Sequence, residues 1–228
     1  MSDKNKLPET FSPMGAEFKK PYMEFEFEGE IFRLENLKGG HNGRTAKACK
    51  ANPPVWDEEK QRWVVKIENN LIDIDLESQS EASKSIPGNK SFLKKMKITS
   101  NPRRSYKSIG YLISTTRNKE EPPSYPIDCE FYMYIRVKVP GKPSLINMKP
   151  FKLMANGLEE WPPRVGTVYT HDDHVELYPE WIPFATYFMK PIVRILPGDE
   201  TILTEVFQLD DHNIERQGFF SSIINWLT

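Results

Sequence analysis

Residues Cys129 to Val139 read C-E-F-Y-M-Y-I-R-V-K-V. A strand turns successive side chains to opposite faces. This segment therefore sets Phe131, Met133, Ile135, Val137 and Val139 on one side and Glu130, Arg136 and Lys138 on the other. A helix would scatter the same residues around its axis, so the pattern fits a half-buried strand. The alternation returns along most of the chain and predicts an all-β fold. Short strands at turn spacings of about 8 to 12 residues are the signature of a sandwich or barrel. We expect an antiparallel β-sandwich of about ten short strands with a short C-terminal amphipathic helix.

The strongest local signal is a hairpin over Tyr22 to Leu34. A two-residue turn at Glu28-Gly29 places Phe25 opposite Phe32 and Met23 opposite Leu34 on one face, and Glu24 opposite Arg33 on the other. A second hairpin is expected from Val55-Trp56 to Trp63–Glu68, with Trp56 pairing across. Leu71 to Leu76 alternates again. Further strands fit Phe92–Thr99, Ser105–Thr116, Leu145–Met154, Thr167–Thr170, His174–Tyr178, Ala185–Ile195 and Thr201–Gln208, with Pro191 confining or breaking its strand. Lys38 to Lys50, rich in Gly and Lys, reads as a loop; it lacks the spacing of a phosphate-cradling loop. Phe219, Phe220, Ile223, Ile224 and Leu227 fall at helical spacing. The domain expectation is a flexible lead-in over 1–20, one sandwich over 21–208 and a helical segment over 209–228.

A chain of 228 residues with 38% hydrophobic residues suits a single β domain with its own core. Two cysteines, Cys49 and Cys129, make no disulfide framework, and Cys129 reads as a small buried thiol. No apolar run approaches the ~18 residues of a membrane-spanning helix. Met1 to Leu7 lacks a signal-peptide core, so a cytoplasmic location is expected. No cofactor is expected.

Charge is unevenly spread. From Ala82 to Lys119 there is no Asp or Glu but ten Lys and Arg, whereas the rest of the chain holds 21 basic against 32 acidic residues. Such a window can be a strand edge kept apart from other strands by lysine, a polyanion site, or a patch that meets the acidic remainder of a second copy. We take Lys94, Lys95, Lys97, Arg103, Arg104 and Lys107 as its contact residues, together with the apolar face Phe219, Phe220, Ile223, Ile224 and Leu227. No nucleic-acid signature motif accompanies them, so nucleic acid is not an expected partner.

His171-Asp172-Asp173-His174 is the densest group of metal-ligand residue types. In a strand these residues alternate between faces; only a tight turn would let His171, Asp173 and His174 converge, and zinc needs three or four ligands. No nucleophile elbow or cysteine-protease signature is present.

Leu153-Met154-Ala155-Asn156-Gly157-Leu158, Trp161-Pro162-Pro163 and Val175-Glu176-Leu177-Tyr178, taken with Ile72-Asp73-Ile74-Asp75-Leu76, form a pattern that resembles a family of uncharacterised bacterial all-β domains of unknown function, over residues 60 to 185. The resemblance implies a fold and carries no activity, ligand or catalytic residue. The function expected is that of a non-catalytic interaction or structural protein that associates with copies of itself or with a polyanion or protein partner. The alternative is a carbohydrate- or other ligand-binding module using Trp161 or Trp181 beside Asp172-Asp173, and the third reading is a metal-dependent enzyme at His171 and His174.

Overall fold

The computed structural model describes residues 6–7, 14–43, 53–68, 72–78, 95–101, 108–182, 185–187, 189–198 and 200–208. Their strands are β1 (Met14–Phe27), β2 (Glu30–Gly43), β3 (Val55–Asp57), β4 (Arg62–Glu68), β5 (Ile72–Ser78), β6 (Lys97–Ser100), β7 (Ile109–Ser114) and β8 (Ile127–Met133). They continue with β9 (Ile135–Lys138), β10 (Leu145–Asn147), β11 (Phe151–Leu158), β12 (Val168–Thr170), β13 (Val175–Pro179), β14 (Val193–Ile195) and β15 (Glu200–Gln208). The fold is all-β, and every strand pairing within its sheet is antiparallel. The expected C-terminal helix, Phe219 to Leu227, lies outside the described residues.

The β1–β2 hairpin forms in the expected register: Phe25 opposite Phe32, Met23 opposite Leu34, Glu24 opposite Arg33. Glu28 and Gly29 both take positive φ, 55° and 78°, the backbone twist that lets a two-residue turn join right-twisted strands. The two phenylalanine rings lie 5.8 Å apart in the core, and Arg33 covers the Tyr22 ring on the outside. Both strands run longer than expected. β1 begins at Met14, inside the segment read as a lead-in. β2 runs on to Gly43, through the Lys38–Gly43 stretch read as a loop. Gly39 and Gly40 pair there with Phe18 and Glu17 on one side and with Leu76 and Asp75 on the other. Backbone ladders on both edges hold a stretch whose side chains gave no strand signal.

Several strands are halves of longer ones. Leu145 faces Pro179, Asn147 faces Leu177 and Met154 faces Thr170, one unbroken residue count that makes β10–β11 a single strand against β13–β12. Val168–Ile202, Thr170–Glu200, Val175–Ile195 and Leu177–Val193 do the same for β12–β13 against β14–β15. β1 receives β15 beside its first half and β14 beside its second, with a bulge at Glu17/Phe18. The sheet order runs β14-β13-β10-β9-β6-β5-β2-β1, and β14 pairs back onto β1. Those eight strands close a ring. Opposite walls face each other across one core, as the two sheets of a sandwich do; the walls are also hydrogen-bonded round their sides, which the sequence did not indicate.

The ring has a side extension. Between β8 and β9 the strand changes partner: β8 pairs with β7, β9 with β6. Tyr134 sits at the change, its N–H donating to Ser108 Oγ (2.9 Å) and its carbonyl accepting from Asn101 N–H (3.0 Å). Buried Asn147 braces it: Oδ1 accepts from Ile135 N–H (2.7 Å), and Nδ2 donates to the carbonyls of Met133 (2.9 Å) and Lys149 (2.8 Å). Backbone groups that lose their ladder partners in a buried place must find others, and these side chains supply them. β7 carries β4 and then β3, a three-stranded flap in which Trp56 pairs with Trp63 as expected, edge to face at 5.8 Å. Val65, Ile67 and Leu112 of the flap join the same core cluster as Phe25, Phe32 and Leu177 of the ring. One expected strand is mostly not formed. Among the described residues of the Ala185–Ile195 run, Ala185–Tyr187 makes a 3-10 turn and only Val193–Ile195 pairs; Pro191 has no N–H for a ladder.

Candidate ligand cavity

The alternation that builds the strands also decides what fills the ring. Met133, Ile135 and Val137 keep to the inside even across the break at Tyr134, while Arg136 stays on the outer side, paired with Glu180. An eight-stranded closed sheet has an interior just wide enough for side chains or one small ligand. Here the filling is incomplete. A cavity of about 80 Å³ remains, and among the residues that line it are Phe131, Met133, Ile135, Phe151, Leu153 and Ile98 together with Phe18, Lys20, Tyr169, His171 and Thr201. A single water needs about 10–15 Å³ on the same measure, so the space admits a small molecule.

Its walls are aromatic and close. Tyr169 is buried, with Phe18 edge-on at 5.8 Å and Phe131 at 6.1 Å. Burial pushes the Tyr169 hydroxyl well above its ordinary value, so it stays protonated. β11 meets β12 at one register pair, Met154–Thr170, and Phe151 and Leu153 beside that seam are only half-buried.

Three polar side chains enter this apolar space from neighbouring strands. Lys20 is 6% exposed and donates from Nζ to Thr201 Oγ1 at 3.3 Å. Thr201 lies opposite Tyr169 in the β12–β15 ladder, and His171 follows two residues later, on the same face as Tyr169. His171 is buried, donates from Nδ1 to the Asp173 carbonyl at 3.1 Å, and meets the Phe151 ring edge-on at 6.0 Å. Lys20 is the one Lys, Arg, Asp or Glu that is buried among the described side chains.

The residues singled out from sequence fall elsewhere. His171 turns into the cavity while Asp172, Asp173 and His174 face solvent, so the four residues divide between inside and outside. Among the described residues no three His, Cys, Asp or Glu side chains gather as a metal site. Trp161 packs against the core, and Trp181 is 69% exposed. Lys95 is exposed, and Lys97 lies half-buried in β6 opposite Lys138. Lys94, Arg103, Arg104 and Lys107 lie outside the described residues, as do Phe219, Phe220, Ile223, Ile224 and Leu227. Cys129 is fully buried, and burial together with the charges of Glu130 and Asp128 drives its thiol far above the range in which a thiolate forms. Lys20 and Thr201 carried no sequence signal. Each looks like an ordinary surface residue until the ladders fold it inward.

Among the described residues no helix is long and apolar enough to cross a membrane. Compared with protein-family models, with curated proteins and with solved structures, the chain matches none.

Proposed function

We propose that this chain is a non-catalytic binding module that holds a small, mainly apolar ligand inside its ring. The observation that carries this reading is the cavity of about 80 Å³ lined by Phe131, Met133, Ile135, Phe151 and Leu153. Apolar space left unfilled in a β core forfeits dispersion contacts, and a ligand of matching shape restores them. A rigid ring offers that space preformed, so little ordering entropy opposes binding. The buried, protonated Cys129 is a poor nucleophile, which agrees with a binding rather than a catalytic role. The self-associating reading rests mainly on side chains outside the described residues, whereas the cavity is built from described ones.

Benzene is a direct probe. We expect it to raise the melting temperature with the logarithm of its concentration, by about 2 °C or more once it exceeds its Kd tenfold. Val175→Phe, which adds a ring from a buried wall position, should remove that rise. The variant should cost less than the about 1–3 kcal/mol of overpacking a filled core, because the space accepts the ring. No rise with benzene, together with a full overpacking cost, would contradict the reading.

A further inference from the structure

One stretch of the ring wall has no ladder, and the cavity lies behind it. Pairing between the β10–β11 strand and the β12–β13 strand stops at Asn147–Leu177 and resumes at Met154–Thr170. The residue count is unbroken, so 148–153 and 171–176 run opposite each other without pairing as strands. Pro150 gives one local reason, since it has no N–H for a ladder. Three carbonyls in the gap bond on their own side of it: Lys149 accepts from Asn147 Nδ2 (2.8 Å), Asp173 from His171 Nδ1 (3.1 Å) and His171 from Gly198 N–H (3.2 Å). Both lips line the cavity, Phe151 and Leu153 from one and His171 and Val175 from the other. Side chains meet where the ladder is missing. Phe151 lies edge-on to His171 at 6.0 Å, and outside them Lys152 faces Asp172. Burial works against the Lys152 ammonium, but Glu130, Tyr132 and Asp172 together raise it above its ordinary 10.5.

We propose that ligands enter and leave the cavity through this gap, by a local parting of β11 from the turn between β12 and β13. Elsewhere the ring is closed by ladders, and opening one of those breaks backbone hydrogen bonds in a row. Here only side-chain contacts need to separate, and Phe151 and Leu153 are already half-exposed at the mouth. Motions of this kind set the rate at which a buried site exchanges its ligand without setting its affinity. This inference rests on the ligand-binding reading above and adds the route.

A covalent bridge across the gap tests it. Lys152→Cys with Asp172→Cys, in a Cys49→Ser background, can be joined as a disulfide or through a short bismaleimide; buried Cys129 does not compete. The bridge should slow benzene exchange, followed by NMR line shapes, about tenfold or more and leave its Kd unchanged. The same bridge at Glu24→Cys with Arg33→Cys, an outward pair of the closed β1–β2 ladder, should leave the exchange rate as it was. If the chain bridged at 152 and 172 exchanges benzene as fast as the unbridged one, the route is wrong while the binding module stands. If benzene leaves the melting temperature of the unaltered chain unchanged, the binding reading falls and the route with it. Where the bridged chain does not form, Lys152→Glu decides. It sets a like charge against Asp172 outside the cavity and should speed exchange about threefold at unchanged Kd; an unchanged rate would overturn the route.

Discussion

Gly110 of β7 faces Phe131 of β8 across their ladder, and its missing side chain is what lets the Phe131 ring stand where it does. A Cβ at this position would lie 2.8 Å from ring atoms Cδ1 and Cε1 of Phe131 and 3.2 Å from Ile67 Cβ. Its φ is ordinary, so the whole penalty of Gly110→Ala is steric, and the ring's open side is the cavity. We predict a loss of about 1–3 kcal/mol in urea unfolding and a smaller benzene-induced rise in melting temperature. Unchanged stability and an unchanged benzene effect would show that Phe131 does not form the wall. At this scale the sequence was legible wherever partners are local. Phe25 with Phe32, Met23 with Leu34 and Trp56 with Trp63 follow from counting outward from a turn. Lys20 was not legible. Lys20 falls in the stretch read as a flexible lead-in, and only the distant Thr201 and the shared cavity lining show that it is inside.

Elements joined by short turns could be read from the sequence, and the partner change between β8 and β9 could not. The run from Phe131 to Val139 keeps its alternation through Tyr134, so nothing in its pattern marks the residue where β7 gives way to β6. The flap that hangs on β8 is tied down by charge on its outer face. Glu130 accepts from Tyr132 Oη (3.1 Å) and pairs with Lys152 of β11 (2.5 Å) and with Lys60 of the β3–β4 turn (3.7 Å). Burial acts to raise the Glu130 carboxyl, but Lys152, Lys60 and Tyr132 together hold it below its ordinary 4.5. A carboxyl depressed by folding adds stability above its unfolded value, and that stability is lost as pH falls through the folded one. The stability gap between the unaltered chain and Glu130→Gln should therefore be steady above pH 4.5 and shrink below it. We expect about 1 kcal/mol at neutral pH, since Lys60 and Lys152 are each about a third exposed and solvent screens the pairs. Urea unfolding of both proteins from neutral to acid pH measures it; a gap that ignores pH would contradict the network.

For the molecule as a whole, the all-β antiparallel architecture was readable from period-two patterning, and its closure was not. β14 reaches β1 through Val193–Phe27 and Ile195–Phe25, pairs between opposite ends of the chain that no local pattern specifies. Closure turns a sheet with a greasy face into a ring with an inside, and the inside is where Lys20, His171 and the half-filled apolar space meet. The uneven charge that drew attention in the sequence has its weight in Lys94, Arg103, Arg104 and Lys107, outside the described residues. The cavity drew no attention there, because it is made of residues that look like any β core. Methyl-resolved NMR of the full chain titrated with benzene tests the central claim most directly. The ring predicts shifts at the methyl groups of Ile98, Met133, Ile135, Val175 and Ile195, residues of β6, β8, β9, β13 and β14 that all line the cavity. Shifts confined to exposed Ile31, Val55 and Val165, or none at all, would contradict it.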